Sequence, residues 1–162
     1  MAAVSERLRF DHALIAALDL AAAKAEFESL GFTVIPGGQH SGGLTENALV
    51  TFAEGNYLEL IAPTSRELLE HPPQPGPGNY SPFFLTDDTA RNLRIREESE
   101  ITSHPNGALD VVGIVVPVEN LERAVAWHEE VLGVSSRPGS ARVGAASAEF
   151  QIGRFDLTLA EP

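Results

Sequence analysis

Two residues in the first half of this chain can hold a divalent ion or move a proton, His12 and Glu59, and the second half carries neither group at the matching places. His12 stands in Phe10-Asp11-His12-Ala13-Leu14-Ile15 and Glu59 in Tyr57-Leu58-Glu59-Leu60, so both are flanked by apolar side chains. An imidazole and a carboxylate on apolar strands are costly to bury alone, and each needs a partner. That partner is either the other member of the pair, through a hydrogen bond, or an ion shared between them. A shared ion would act as a Lewis acid on a carbonyl or enolate oxygen while a nearby carboxylate or imidazole shuttles the proton. One His and one Glu leave a divalent ion short of its four to six donors, so other side chains or water must complete it.

Two further histidines are candidates for that role. His40 lies in a loop between Gly37-Gly38 and Gly42-Gly43, flexible enough to swing an imidazole over a site, although a solvated loop histidine is the commoner outcome. His104 falls in the turn Ser103-His104-Pro105-Asn106-Gly107, just before the second half, where it can replace a missing donor or serve a purely structural purpose. His71, in a proline-rich stretch, and His128, beside Glu129 and Glu130 on a helix, are expected at the surface. Phe27 and Trp127, at matching places on two helices, are expected in the core. There is no phosphate-binding glycine loop, nucleophile elbow or paired helix histidine motif.

The elements that must position these residues come twice. Residues 10–15 are echoed by 109–114, each leading to a helix that ends at Leu-Gly, Leu30-Gly31 and Leu132-Gly133. Each half closes on a strand, Tyr57-Leu58-Glu59-Leu60 or Asp156-Leu157-Thr158-Leu159. His12 to Glu59 and Val111 to Thr158 are both separations of 47 positions. The spacing predicts a duplicated strand-helix-strand-strand-strand unit with Val111 and Thr158 in the places of His12 and Glu59. In the first unit Asp19 caps a helix from Leu20 to about Leu30, and Phe32 to Ile35 reads as a strand. Pro36-Gly37-Gly38 reads as a turn, and residues 47–52 and 56–62 as strands joined around Gly55. In the second, a strand runs from Leu109 to Val116, Asn120 caps a helix to about Leu132, and short strands follow to Leu159. The boundaries are 1–62 for the first module, 63–108 for an irregular covering segment and 109–162 for the second module. Within the segment, Pro72 to Gly78 can form neither helix nor interior strand, Pro82-Phe83-Phe84-Leu85 reads as a strand against the core, and so long a connection is expected to shield a pocket mouth or a subunit contact.

With 23 acidic against 11 basic residues and a net charge of −12, the chain repels a phosphate backbone, and no basic patch overrides that field. Nucleic acid is therefore not expected as a partner. The absence of cysteine excludes disulfides, thiolate metal sites and cysteine nucleophiles. The first residues are too polar for a signal peptide, and no apolar run approaches the ~20 residues of a membrane span, so a soluble cytoplasmic protein without a membrane partner is the expectation.

Phe10-Asp11-His12-Ala13, Leu30-Gly31-Phe32, Pro36 to His40, Asn47-Ala48-Leu49-Val50, Tyr57 to Ile61 and His104 to Ala108 together resemble the glyoxalase-like branch of the vicinal oxygen chelate superfamily, across nearly the whole chain. The resemblance implies an α+β fold in which two tandem βαβββ modules form a curved mixed sheet around a cavity. It implies a divalent metal, Zn, Mn, Fe or Ni, held by residues of first and last strands. His12 and Glu59 fall on such positions, with His104 as a further donor. It also implies a small-molecule substrate contacted by Asn47 and His104, and Glu59 and His40 as the catalytic pair of an isomerase, lyase or ring-opening enzyme. Val111 and Thr158 depart from the pattern. That favours the superfamily's other mode, a metal-free protein that sequesters a small molecule such as an antibiotic. A homodimer is compatible with either.

Overall fold

The computed structural model describes residues 8–40, 42–65, 67, 95, 98–139 and 146–162. The chain divides into two compact units, one of residues 12–110 and one in which residues 111–162 are joined by the chain ahead of His12.

The unit of residues 12–110 runs β1 (His12–Ala16), α1 (Leu20–Ser29), β2 (Ile35–Gln39), β3 (Thr45–Thr51), β4 (Tyr57–Pro63) and a short α2 (Ser99–Thr102). Its sheet has the order β1-β4-β3-β2, with β1 parallel to β4 and the other pairs antiparallel. The second unit runs β5 (Gly113–Pro117), α3 (Leu121–Leu132), β6 (Arg137–Pro138), β7 (Ala146–Ile152) and β8 (Phe155–Glu161), in the order β5-β8-β7-β6. Each sheet is therefore four-stranded and mixed, and the chain is an α+β fold of two tandem βαβββ modules.

Local chemistry explains the boundaries. The Asp19 carboxylate accepts from the Ala22 N–H at 2.8 Å, and the Asn120 side chain accepts from the Arg123 N–H at 2.8 Å, each satisfying an orphan donor of a first helical turn. Gly133 ends α3 in the left-handed conformation, φ 67°, which a β-carbon would resist. Alternation along the strands then sorts the faces. In the second unit Phe150, Leu157 and Leu159 are buried under Leu121, Ala124 and Val125 of α3. In the first, Ala48, Val50, Leu60 and Ala62 form the equivalent buried face, and α1 packs on β3 and β4. His12, Asn47 and Glu59 belong to the opposite face.

Several sequence expectations are corrected. Pro36-Gly37-Gly38 is not a turn but part of β2, a sheet-edge strand where a proline removes no interior ladder bond. The turn comes later, where the Gly43 N–H donates to the His40 carbonyl at 2.9 Å. The first strand of the second unit starts at Gly113 rather than Leu109.

The equal 47-residue spacing does not carry the register. Glu59 lies beside Leu14 and Thr158 beside Val115, so Thr158 does occupy the place of Glu59. Counting back along the strands, however, His12 corresponds to Gly113, because the second unit is two residues shorter between the two strands. Val111 instead packs against the second unit's core with Leu8 and Phe10, and Phe10 stacks on Phe155 at 3.9 Å.

Trp127 is 41% exposed whereas His128 is buried, the reverse of expectation, because α3 turns His128 toward Phe150. Phe27 is half-buried against Phe32. Residues 98–110 group with the first unit, anchored where the Asn106 side chain donates to the Leu30 carbonyl at 3.0 Å. His71, Pro72 to Gly78 and Pro82 to Leu85 lie outside the described residues.

Candidate functional site

Glu59 is the centre of the site. It sits in the middle of β4, 6% exposed, on the face opposite α1. His12 opens β1 on the same face, directly beside Tyr57, and its ring stacks on the Tyr57 ring at 4.6 Å with planes 13° apart. This stacking fixes the imidazole so that Nε2 stands 3.6 Å from Oε2 of Glu59. The other carboxylate oxygen, Oε1, is approached by Nε2 of His40 at 3.1 Å and accepts a hydrogen bond from Nδ2 of Asn47 at 2.5 Å.

His40 reaches the carboxylate because the loop after β2 is clamped at its root. Its backbone N–H donates to the Thr45 carbonyl at 3.0 Å, and its Nδ1 lies 2.8 Å from the Thr45 hydroxyl. With Nδ1 occupied, Nε2 faces Glu59. The structure thus brings together His12, His40, Asn47 and Glu59. Asn47 contacts the carboxylate itself, a link the sequence does not advertise, because it depends on β3 and β4 pairing Asn47 with Ile61 and leaving the amide diagonal to Glu59. The Thr45 hydroxyl and the Tyr57 ring were likewise not singled out from sequence.

His104 is not brought to this cluster, where it was expected as a further donor. It is buried, and both ring nitrogens are committed to backbone: the Thr33 N–H donates to Nδ1 at 3.0 Å, and Nε2 lies 3.2 Å from the Thr51 carbonyl. The rings of Phe32 and Phe52 pack on it at 5.6 and 5.0 Å. Desolvation by this burial holds its pKa below the ordinary histidine value, against a smaller upward pull from the Thr51 bond. His104 is a staple between the segment after α2 and β3.

Among the described residues the second unit has no counterpart of the cluster. Gly113 and Thr158 stand where His12 and Glu59 would be, and the same face carries an ion-pair network instead. Arg137 donates to Glu149 at 3.1 Å and to Asp156 at 3.0 Å, so these carboxylates are balanced by a guanidinium rather than by imidazoles.

Among the described residues no three His, Cys, Asp or Glu side chains form a ready-made metal group. In the cluster, His12 and His40 address opposite oxygens of Glu59. The donor chemistry nonetheless suits a divalent ion. Imidazoles and a carboxylate are ordinary ligands of such ions, and the 3.6 Å between Nε2 of His12 and Oε2 is near the roughly 3.3 Å between two donors about 2.0 Å from one tetrahedral ion.

Residues 10–77 match the glyoxalase-like domain family. That stretch holds His12, His40, Asn47 and Glu59, and it is similar to the family to which the motifs of the first half point. Among solved structures, a hypothetical protein from Staphylococcus aureus shares the fold, with a TM-score of 0.68 at 10% identity, over 94% of this chain and 86% of that one. Methylmalonyl-CoA epimerase from Mycobacterium tuberculosis aligns over 94% of this chain and 86% of its own at 16% identity, but a TM-score of 0.31 lends that likeness no weight. No curated protein matches the chain in sequence.

Proposed function

We propose that this protein is a metal-assisted enzyme acting on a small, oxygen-rich substrate by moving a proton next to a carbonyl, as an isomerase or epimerase, a lyase or a ring-opening enzyme does. The observation that carries this reading is a carboxylate only 6% exposed yet served by two imidazoles and an amide on a sheet face otherwise lined by Leu14, Leu49 and Ile61.

His12 and Glu59 would hold a divalent ion, with His40 as the third donor or as the base. Such an ion supplies Lewis-acid stabilisation of negative charge on a substrate oxygen. The chain's own residues supply the rest. Oε2 of Glu59 lacks the Asn47 bond and stands nearest Nε2 of His12, so it is the oxygen that would share the ion. His40, whose side chain is 45% exposed and whose Nε2 lies 3.1 Å from the other oxygen, is placed to take a substrate proton and pass it to solvent.

The test is elemental analysis of protein purified without a nickel column, followed by titration with cobalt(II) of the wild type, His12→Ala and Glu59→Ala. The expected result is specific binding by the wild type, weakened at least tenfold by either substitution, because a site with few protein donors cannot spare one. Absence of binding by the wild type would refute the metal reading. It would favour a second one, a metal-free protein that sequesters a small molecule. The replacement of both partner positions by Gly113 and Thr158, which cannot serve as charged donors, supports that alternative.

A further inference from the structure

We propose that Asn47 is a positioning residue: its amide, oriented by the Gly38 N–H and given room by Gly37, holds Oε1 of Glu59 and leaves Oε2 as the working oxygen. This rests on the reading of Glu59 as the functional carboxylate.

The amide can face only one way. Its Oδ1 accepts from the Gly38 N–H at 2.7 Å, and that acceptor must be the oxygen, so the NH2 end is directed at Glu59. The Gly38 N–H is free to donate sideways because β2 bulges. Pairing holds at Pro36 with Ala48 and resumes at Gln39 with Glu46, so β2 takes one more step than β3 across this interval. Such an extra residue withdraws a backbone group from the ladder and re-aims it. Gly37 is needed for a different reason. A β-carbon there would lie 1.9 Å from Oδ1 of Asn47 and 2.8 Å from its Cγ, inside the amide itself. Pro36-Gly37-Gly38 therefore serves as the seat of one side chain.

The second module contains the control. Pro138 pairs with Ala148 as Pro36 pairs with Ala48, which makes Gly139 and Ser147 the counterparts of Gly37 and Asn47. A β-carbon on Gly139 would likewise fall 2.1 Å from Oγ of Ser147. The close glycine approach is thus part of the duplicated backbone and says nothing of function by itself. What differs is the occupant. The first module places an amide long enough to reach a carboxylate, and the second places a short hydroxyl in the strand next to Thr158. The long donor and the buried acid occur together, in the same module, and are both missing from the other.

Holding one oxygen matters because a carboxylate that turns about its terminal bond presents two equivalent bases, whereas one pinned at Oε1 presents a single lone-pair direction. Partners that orient a ligating or reacting group in this way change affinity about 10–100-fold when removed.

Two measurements test the proposal. In metal-free, nitrogen-15-labelled protein, the side-chain amide protons of Asn47 should resonate downfield of the ordinary asparagine range, as should those of Asn56, which donates to Asp110, and only those of Asn47 should return to the ordinary range in Glu59→Ala. An Asn47 amide whose shifts ignore Glu59→Ala would overturn the proposal whatever the metal result. The second is cobalt(II) titration of Asn47→Ser and Gly37→Ala. Asn47→Ser reproduces the pair already present in the second module, and should fold while losing the donor to Glu59. It should bind cobalt about 10–100-fold more weakly than the wild type. Gly37→Ala should show the same loss by displacing the amide. If Asn47→Ser binds cobalt as the wild type does, Asn47 only anchors the bulge and the proposal fails. If the wild type binds no cobalt, the metal reading fails on its own and the amide shifts alone decide the role of Asn47.

Discussion

Substituting His104 by Phe isolates the staple between the segment after α2 and β3. The ring stays among Phe32 and Phe52, while both nitrogens vanish. Because Nδ1 accepts from the Thr33 N–H, the neutral tautomer carries its proton on Nε2, which donates to the Thr51 carbonyl. The Phe variant therefore strands one buried donor and one buried acceptor. Each such loss costs about 1–3 kcal/mol, and the two together about 2–6 kcal/mol. At roughly 2–4 °C per kcal/mol for a chain of this size, the melting temperature should fall by about 4–24 °C at pH 8.

The pH dependence adds a sharper requirement. Burial holds the His104 pKa below its ordinary value, so the folded state favours the neutral ring. Its contribution to stability is complete above the unfolded-state pKa of about 6.5, and is lost as the pH falls through the folded-state value. Protonation of Nδ1 also removes the acceptor that Thr33 needs. Thermal unfolding followed by circular dichroism should thus show a gap between wild type and His104→Phe that is widest near pH 8 and shrinks below about 6.5. A gap that stays constant or widens on acidification would refute the tautomer and burial argument.

Three further outcomes follow from the packing. Asn120→Ala removes the cap of α3 and should lower stability by about 1 kcal/mol, read from a denaturant midpoint, with no effect on cobalt binding in the other unit. Phe150→Ala empties a fully buried position in the second core and should cost about 3–5 kcal/mol by the same measurement. His128→Phe removes a buried Nε2 that has no hydrogen-bond partner among the described residues, against the loss of an Nδ1 bond to the Ala124 carbonyl. Its melting temperature should equal or exceed that of the wild type, and a fall worth more than about 2 kcal/mol would show that Nε2 is satisfied after all.

The sequence by itself determined the elements and their repetition. Asp19 and Asn120 are short polar side chains at the only places where they can satisfy a first helical turn, and Leu-Gly ends each helix through local backbone preference alone. Apolar alternation likewise placed His12 and Glu59 on strands, since two charged-type residues among Leu, Ile and Ala are conspicuous at any register. These are short-range effects, encoded within a few residues of where they act. Tertiary structure decided everything that depends on register or on residues far apart in the chain. It exchanged Val111 for Gly113 as the counterpart of His12, because a repeat can lose two residues between strands without losing its pattern. It sent His104 to the Thr33 and Thr51 backbone and brought His40 to Glu59, two loop histidines whose flanking residues look equally permissive. It made Pro36-Gly37-Gly38 a bulged edge strand instead of a turn, because the Asn47 amide fills the space where a β-carbon on Gly37 would stand, and that space exists only once β2 lies against β3.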